Sequence, residues 1–131
     1  MRNSFDNIGR IAQIGRAMYG NFSTEKAIDN YFTHCKGTHF VREEMPLDAF
    51  FEMRSEALIE NPQVQLAQMC QFLGLDAPQD YLDACASIIF KKPRLSRYAI
   101  EWTLQQIEEA YQRMLEYPFL NGYTYEEGTA S

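Results

Sequence analysis

Four cations lie close together in the sequence around position 94, and they are the side chains best suited to binding chemistry. They are Lys91, Lys92, Arg94 and Arg97. Ser96 adds a hydroxyl donor, and no acidic residue occurs from position 84 to position 100, although the whole chain carries a net charge of −6. Because guanidinium and ammonium groups form charge-assisted hydrogen bonds to phosphate and sulfate oxygens, this segment could bind an anion. The alternative is a solvated positive surface without a ligand.

A second cationic segment lies at the N-terminus. Arg2 immediately precedes an apolar pattern that predicts a helix over residues 4–19, and Arg10 lies within that helix. The free N–H groups and the positive dipole end of a helix start favour anions. Arg2 could therefore hold an anion at this junction, and an ordinary surface arginine is the alternative.

The elements that must position these cations are mostly predicted to be helices. Ser23 as N-cap and Gly37 as the stop predict a helix over 24–36. Asn61 followed by Pro62 predicts the start of another helix, which Gly74 ends. A further helix is predicted over 79–89.

The last helix is predicted over 104–116, and Thr103 with Gln106 forms its capping box. Its predicted buried stripe consists of Leu104, Ile107, Tyr111, Met114 and Leu115. The residues after Pro118 are predicted to form a tail.

One strand is predicted over residues 49–54, AFFEMR, which is short and aromatic. A lone strand leaves backbone donors and acceptors unpaired, so we expect a second strand to end at Met1 and Arg2. The other strands of such a sheet would lie upstream, outside this chain. Glu56, at the exit of the strand, could cap a helix, pair with Arg54 or contact a ligand.

Composition limits the function classes. A length of 131 residues suits one domain. The acidic balance argues against non-specific nucleic-acid binding, and the absence of an apolar run of about 20 residues argues against a membrane span. Three scattered cysteines make neither a disulfide framework nor, beside His34 and His39, a closed zinc site, so we expect no metal and a cytoplasmic location. We find no glycine-rich phosphate loop, nucleophile elbow or paired carboxylates.

Three stretches, in their order, resemble the C-terminal half of sulfotransferases that use 3′-phosphoadenosine 5′-phosphosulfate (PAPS). They are RNSFDNI at 2–8, MRSEALIENPQVQLAQMCQFLG at 53–74 and KKPRLSRYAIEWT at 91–103. Bacterial members often read Arg-Asn-Pro-(Phe/Tyr)-Asp-Asn-Ile at the first stretch. They have a strand, an Asn/Asp-Pro and a helix ending in Phe-Leu-Gly at the second. Cytosolic members have Arg-Lys-Gly-x-x-Gly-x-Trp at the third.

The resemblance implies an α/β fold in which residues 1–131 are part of a P-loop-like three-layer domain, mostly helical here with one or two short strands. It also implies PAPS as the cofactor, with its 3′-phosphate held by cations of the first and third stretches. The implied cofactor-binding residues are Arg2, Arg10, Lys91, Lys92, Arg94, Ser96 and Arg97. Among these, Arg10 stands where the family has Ser or Thr.

The resemblance further implies sulfuryl transfer to a hydroxyl or amine of a small molecule or carbohydrate. In the family, the 5′-phosphosulfate loop and the usual catalytic base lie upstream of these stretches. We therefore assign no catalytic residue, expect little turnover from this chain alone and expect a missing N-terminal half as a partner. The alternative is a non-catalytic helical protein-interaction module or a remnant of an enzyme.

Overall fold

The computed structural model describes residues 1–126, and every regular element in this range is helical. The α-helices are α1 (Ser4–Tyr19), α2 (Thr24–Glu44), α3 (Ser55–Glu60), α4 (Pro62–Phe72), α5 (Gln79–Ser87) and α6 (Leu104–Met114). Short 3-10 helices lie at Leu47–Ala49, Ser96–Ala99 and Pro118–Leu120. None of the helices within this range is both long and apolar enough to cross a membrane.

The chain divides into two compact units. The small unit contains residues 1–2 and 46–94, and therefore α3, α4 and α5. The large unit contains residues 3–45 and, within the described range, 95–126, and therefore α1, α2 and α6.

Phe5 is the centre of the core of the large unit. Its fully buried ring meets Trp102, Tyr111 and Tyr125 edge to face, with centroids 5.5, 4.9 and 5.5 Å away. Around this cluster, α1, α2 and α6 contribute further buried apolar side chains, among them Ile8, Ala12, Ala27, Ile28, Phe32, Ala110 and Met114.

The core of the small unit is thin, because Leu66, Cys70 and Leu82 are its buried apolar residues. The packed helices α4 and α5 are also joined by polar groups. Gln79 donates to Gln63 at 2.7 Å and to Asp83 at 2.9 Å.

Several predicted helix ends are confirmed. Ser23 caps α2 by accepting a hydrogen bond from the Lys26 N–H at 3.1 Å, and Pro62 is the first residue of α4. The capping box of Thr103 and Gln106 is present. At the end of α4, Gly74 adopts φ +71°, which glycine tolerates best, and the Leu75 N–H donates to the Cys70 carbonyl at 2.8 Å in a Schellman arrangement.

The predicted α/β fold is wrong, because residues 1–126 contain no strand and no sheet. Phe50 and Arg54 do have extended backbones. The Met1 ammonium donates to the Met53 carbonyl, and the Ser55 N–H donates to the Met1 carbonyl. These two bonds are the pattern of a single residue in a parallel pair, whereas a strand needs a continued ladder.

The predicted end of the second helix at Gly37 is also wrong, since α2 continues to Glu44. An interior glycine costs about 1 kcal/mol, which contacts beyond it can offset. The His39 ring lies 5.7 Å from the ring of Tyr117, and the Arg42 guanidinium lies 5.3 Å from the ring of Phe119. The helix ends at Met45 because the following proline disfavours a helical conformation there.

The C-terminal predictions need two corrections. Leu104 is 86% exposed and Leu115 is 73% exposed, so neither belongs to a buried stripe. Leu104 is the first residue of α6, and Leu115 is turned by about 100° from the buried Met114. The segment predicted as a tail contributes to the core, because it includes the buried residues Phe119, Leu120 and Tyr123.

Candidate anion-binding site

A cavity of about 250 Å³ lies within the small unit, where the first residues of the chain, the start of α3 and the basic loop meet. We define the basic loop as residues 88–94, which follow α5. The lining residues are Arg2, Ser55, Glu56, Ile59, Phe90, Pro93 and Arg94. The lining residues thus come from all three sequence stretches that carry the resemblance, except Phe90, which directly precedes the third stretch.

Two guanidinium groups belong to the cavity. Nη2 of Arg2 donates a hydrogen bond to the backbone carbonyl of Arg94, which ties the N-terminal segment to the basic loop. The guanidinium carbon of Arg94 lies 4.3 Å from the centroid of the Phe90 ring, a cation–π arrangement. The cavity therefore has both hydrogen-bond donors for an anion and an aromatic wall.

Local backbone contacts place Arg2 at the cavity. The two hydrogen bonds of Met1 to Met53 and Ser55 fix the chain directly before Arg2 and beside the start of α3. Within the basic loop, Pro93 has a restricted φ and no backbone N–H, which limits the conformations of the loop.

An acidic residue, Glu56, also lines the cavity. The negative charge of Glu56 also interacts electrostatically with the ammonium group of Met1. Burial lowers the pKa of that ammonium, and Glu56 acts in the opposite direction. The lining therefore combines two cations with one acceptor.

Lys91 and Lys92 lie in the basic loop, but they do not line the cavity. Both side chains are exposed. Their charges can raise the local potential within the Debye length of about 8 Å at physiological salt, without direct contact with a ligand.

Arg97 lies in the large unit, where its charge is neutralised. Its side chain is 4% exposed, and Nη1 donates to Oδ2 of Asp6 at 2.8 Å. The backbone N–H of Arg97 donates to Oδ1 of the same carboxylate at 3.0 Å. The Trp102 indole donates to the Arg97 carbonyl at 2.9 Å. Arg97 is therefore positioned as a structural residue of the core.

The other two predicted site residues also lie in the large unit, apart from the cavity lining. Arg10 is exposed on α1. Ser96 opens the 3-10 helix Ser96–Ala99, and its backbone lies directly against Gly9 of α1. Of the seven predicted residues, Arg2 and Arg94 line the same cavity.

The remaining lining residues are not among the seven predicted site residues. Glu56 is a possible ligand contact in the sequence, because it lies directly after the predicted strand. Phe90 carried a weaker signal, as an aromatic residue beside two lysines. Ile59 gave none, because its role depends on how α3 is placed.

No family model, curated protein or solved structure matches this chain. Within residues 1–126, no group of three potential metal-ligating side chains comes together.

The cavity residues fit one part of PAPS. Two guanidinium groups suit a phosphate, and the Phe90 ring suits the face of a sugar or base. The volume is below the roughly 300–1,000 Å³ typical of pockets that bury a drug-sized ligand, so it suits a phosphate with its attached sugar rather than the whole nucleotide.

Proposed function

We propose that this chain is a sulfotransferase-like protein whose small unit binds the 3′-phosphate of PAPS through Arg2 and Arg94. The observation that supports this proposal is the meeting of Arg2 and the basic loop at one cavity. Arg2 and Arg94 lie 92 residues apart in sequence, and the resemblance gives both of their segments a role in 3′-phosphate binding.

The roles of the residues follow from their chemistry. The guanidinium groups of Arg2 and Arg94 hold phosphate oxygens by charge-assisted hydrogen bonds, and Phe90 orients the attached ring. Lys91 and Lys92 attract the anion from solvent. When bound, PAPS supplies the sulfuryl group, and the proposed acceptor is a hydroxyl or amine of a small molecule or carbohydrate.

The proposal includes little turnover by this chain alone, because the resemblance assigns the 5′-phosphosulfate loop and the usual catalytic base to a part of the family fold outside these three stretches. An N-terminal half that carries a 5′-phosphosulfate loop is the proposed partner, and the cytoplasm is the proposed location. A normal rate of sulfate transfer by the purified chain would contradict this part of the proposal.

The binding proposal is tested by calorimetric titration with adenosine 3′,5′-bisphosphate. Arg94→Ala is expected to weaken binding about 10- to 100-fold, as for a lost hydrogen bond between charged groups. Lys91→Ala/Lys92→Ala is expected to weaken it less, with an effect that shrinks at high salt. The matched control is Lys26→Ala/Lys36→Ala, which removes two exposed charges from the large unit. Equal affinity of Arg94→Ala and this control would refute the site.

A non-catalytic interaction module is the second candidate, and exposed apolar side chains favour it. Leu47 is 91% exposed and Ile88 is 82% exposed, and exposed apolar surface often marks a partner site or promotes aggregation. A monodisperse, cooperatively melting monomer without affinity for the bisphosphate would support the module. Bisphosphate binding lost in Arg94→Ala would support the nucleotide site.

A further inference from the structure

Glu56 has no role in 3′-phosphate binding as proposed above, yet it lines the same cavity as Arg2 and Arg94. The residue lies in the first turn of α3, and its side chain is half-buried. A carboxylate beside a bound phosphate repels it, and a site built only for an anion would not contain one. A ligand that carries a hydrogen-bond donor beside its anionic group would be complementary to this carboxylate.

An ionised carboxylate is an acceptor with two oxygens and about four lone-pair sites. It can accept a hydrogen bond from a ligand in addition to contacts within the protein. The Phe90 ring and Ile59 provide apolar walls in the same cavity. The lining is thus complementary to a molecule with an anion, a neighbouring hydroxyl donor and a ring.

We propose that Glu56 is a specificity-determining residue, which accepts a hydrogen bond from the ribose hydroxyl next to the bound phosphate. The cavity then selects the 3′-phosphate of a ribonucleoside over inorganic phosphate and over the deoxy form. This inference rests on the proposed 3′-phosphate site and adds the selection of the sugar.

The test compares three ligands by calorimetry: adenosine 3′,5′-bisphosphate, its 2′-deoxy analogue and inorganic phosphate. The unsubstituted protein is expected to bind the ribose form about 10-fold more tightly than the deoxy form. In Glu56→Ala this ratio is expected to fall to about 1, while the affinity for inorganic phosphate rises about 3- to 10-fold because the repulsion is removed. Glu56→Gln, which keeps an acceptor, is expected to retain part of the ribose preference.

Glu60→Ala is the matched control, since Glu60 ends the same helix, is exposed and does not line the cavity. It should leave the ribose-to-deoxy ratio unchanged. If Glu56→Ala changes the affinities for both nucleotides by one common factor, Glu56 acts through charge alone and the inference is wrong. Failure of the unsubstituted protein to bind either nucleotide would overturn the proposed function and this inference with it.

Discussion

Replacing Gly9 by alanine is expected to destabilise the large unit, because α1 lies against the backbone of Ser96 and Arg97 at this point. A Cβ atom at Gly9 would lie 2.7 Å from the Ser96 carbonyl carbon and 2.9 Å from the Arg97 nitrogen. Both are backbone atoms, so no rotation of a side chain relieves the overlap. Either α1 or the Ser96–Ala99 helix must move.

Gly37 supplies the matched control for the magnitude. It also lies inside an α-helix, is exposed, and a Cβ there would meet nothing within 4 Å. Gly37→Ala should therefore stabilise the protein by about 1 kcal/mol through helix propensity alone. Gly9→Ala receives the same gain but adds an overlap, for which overpacked sites lose about 1–3 kcal/mol. The free energies of unfolding of the two variants should differ by about 1–3 kcal/mol.

The assay is urea unfolding followed by the fluorescence of Trp102, the single tryptophan of the chain, whose ring packs on Phe5 in the large unit. Gly9→Ala should unfold at a lower urea concentration than Gly37→Ala with a similar slope. If the two variants unfold at the same concentration, α1 does not approach the backbone at Ser96. The burial of Arg97 against α1 would then be refuted as well.

Three further outcomes are expected. Asp6→Ala should lower the free energy of unfolding in urea by about 3–5 kcal/mol, because it leaves the buried charge of Arg97 uncompensated. Adding Arg97→Met should recover part of this loss. Additive losses in the double variant would contradict the ion pair. Thr103→Ala should cost about 1 kcal/mol, measured by thermal unfolding, because it removes the capping acceptor, and an unchanged melting temperature would argue against the cap. Burial raises the pKa of Cys35 and that of Tyr31 above their ordinary values, so the folded protein retains these protons longer than the unfolded chain. The contribution of both groups is complete below about pH 8, where the unfolded chain also keeps both protons, and declines as the pH rises further; urea midpoints that stay constant from pH 8 to 11 would contradict this.

The starts of the helices could be predicted because their signals are local. The hydroxyl of Ser23, the proline at position 62 and the pair Thr103 and Gln106 satisfy or remove N–H groups within one turn. Such signals depend on the neighbouring residues alone.

Helix ends and the strand could not be predicted in the same way, since they depend on distant contacts. Gly37 resembles a stop in sequence, but the helix continues where His39 and Arg42 meet aromatic rings from the far end of the chain. Residues 49–54 have the composition of a strand, and the backbone of Met53 pairs with that of Met1, yet residues 1–126 contain no strand. A strand is a property of two chain segments, so one segment cannot specify it.

At the candidate site, too, local features could be predicted from the sequence, whereas features that depend on distant contacts could not. The cationic character of Arg2 and Arg94 could be read directly, and a resemblance of motifs linked them. The burial and pairing of Arg97 could not be predicted, because they depend on Asp6, which lies 91 residues earlier in the sequence. A run of like charges gives no information about which member meets an opposite charge in the folded protein.

The four cations at positions 91, 92, 94 and 97 have three different physical roles within the small and large units. Arg97 is neutralised by Asp6 in a buried pair and contributes little to the field outside the core. Lys91 and Lys92 are exposed and contribute a screened positive potential near the loop, although the chain as a whole carries a net charge of −6. Arg94 alone among the four lines the cavity, where Arg2 joins it and Glu56 opposes both. Selectivity at such a site depends on the placement of a few groups, whereas the lysines affect how readily an anion approaches an acidic protein.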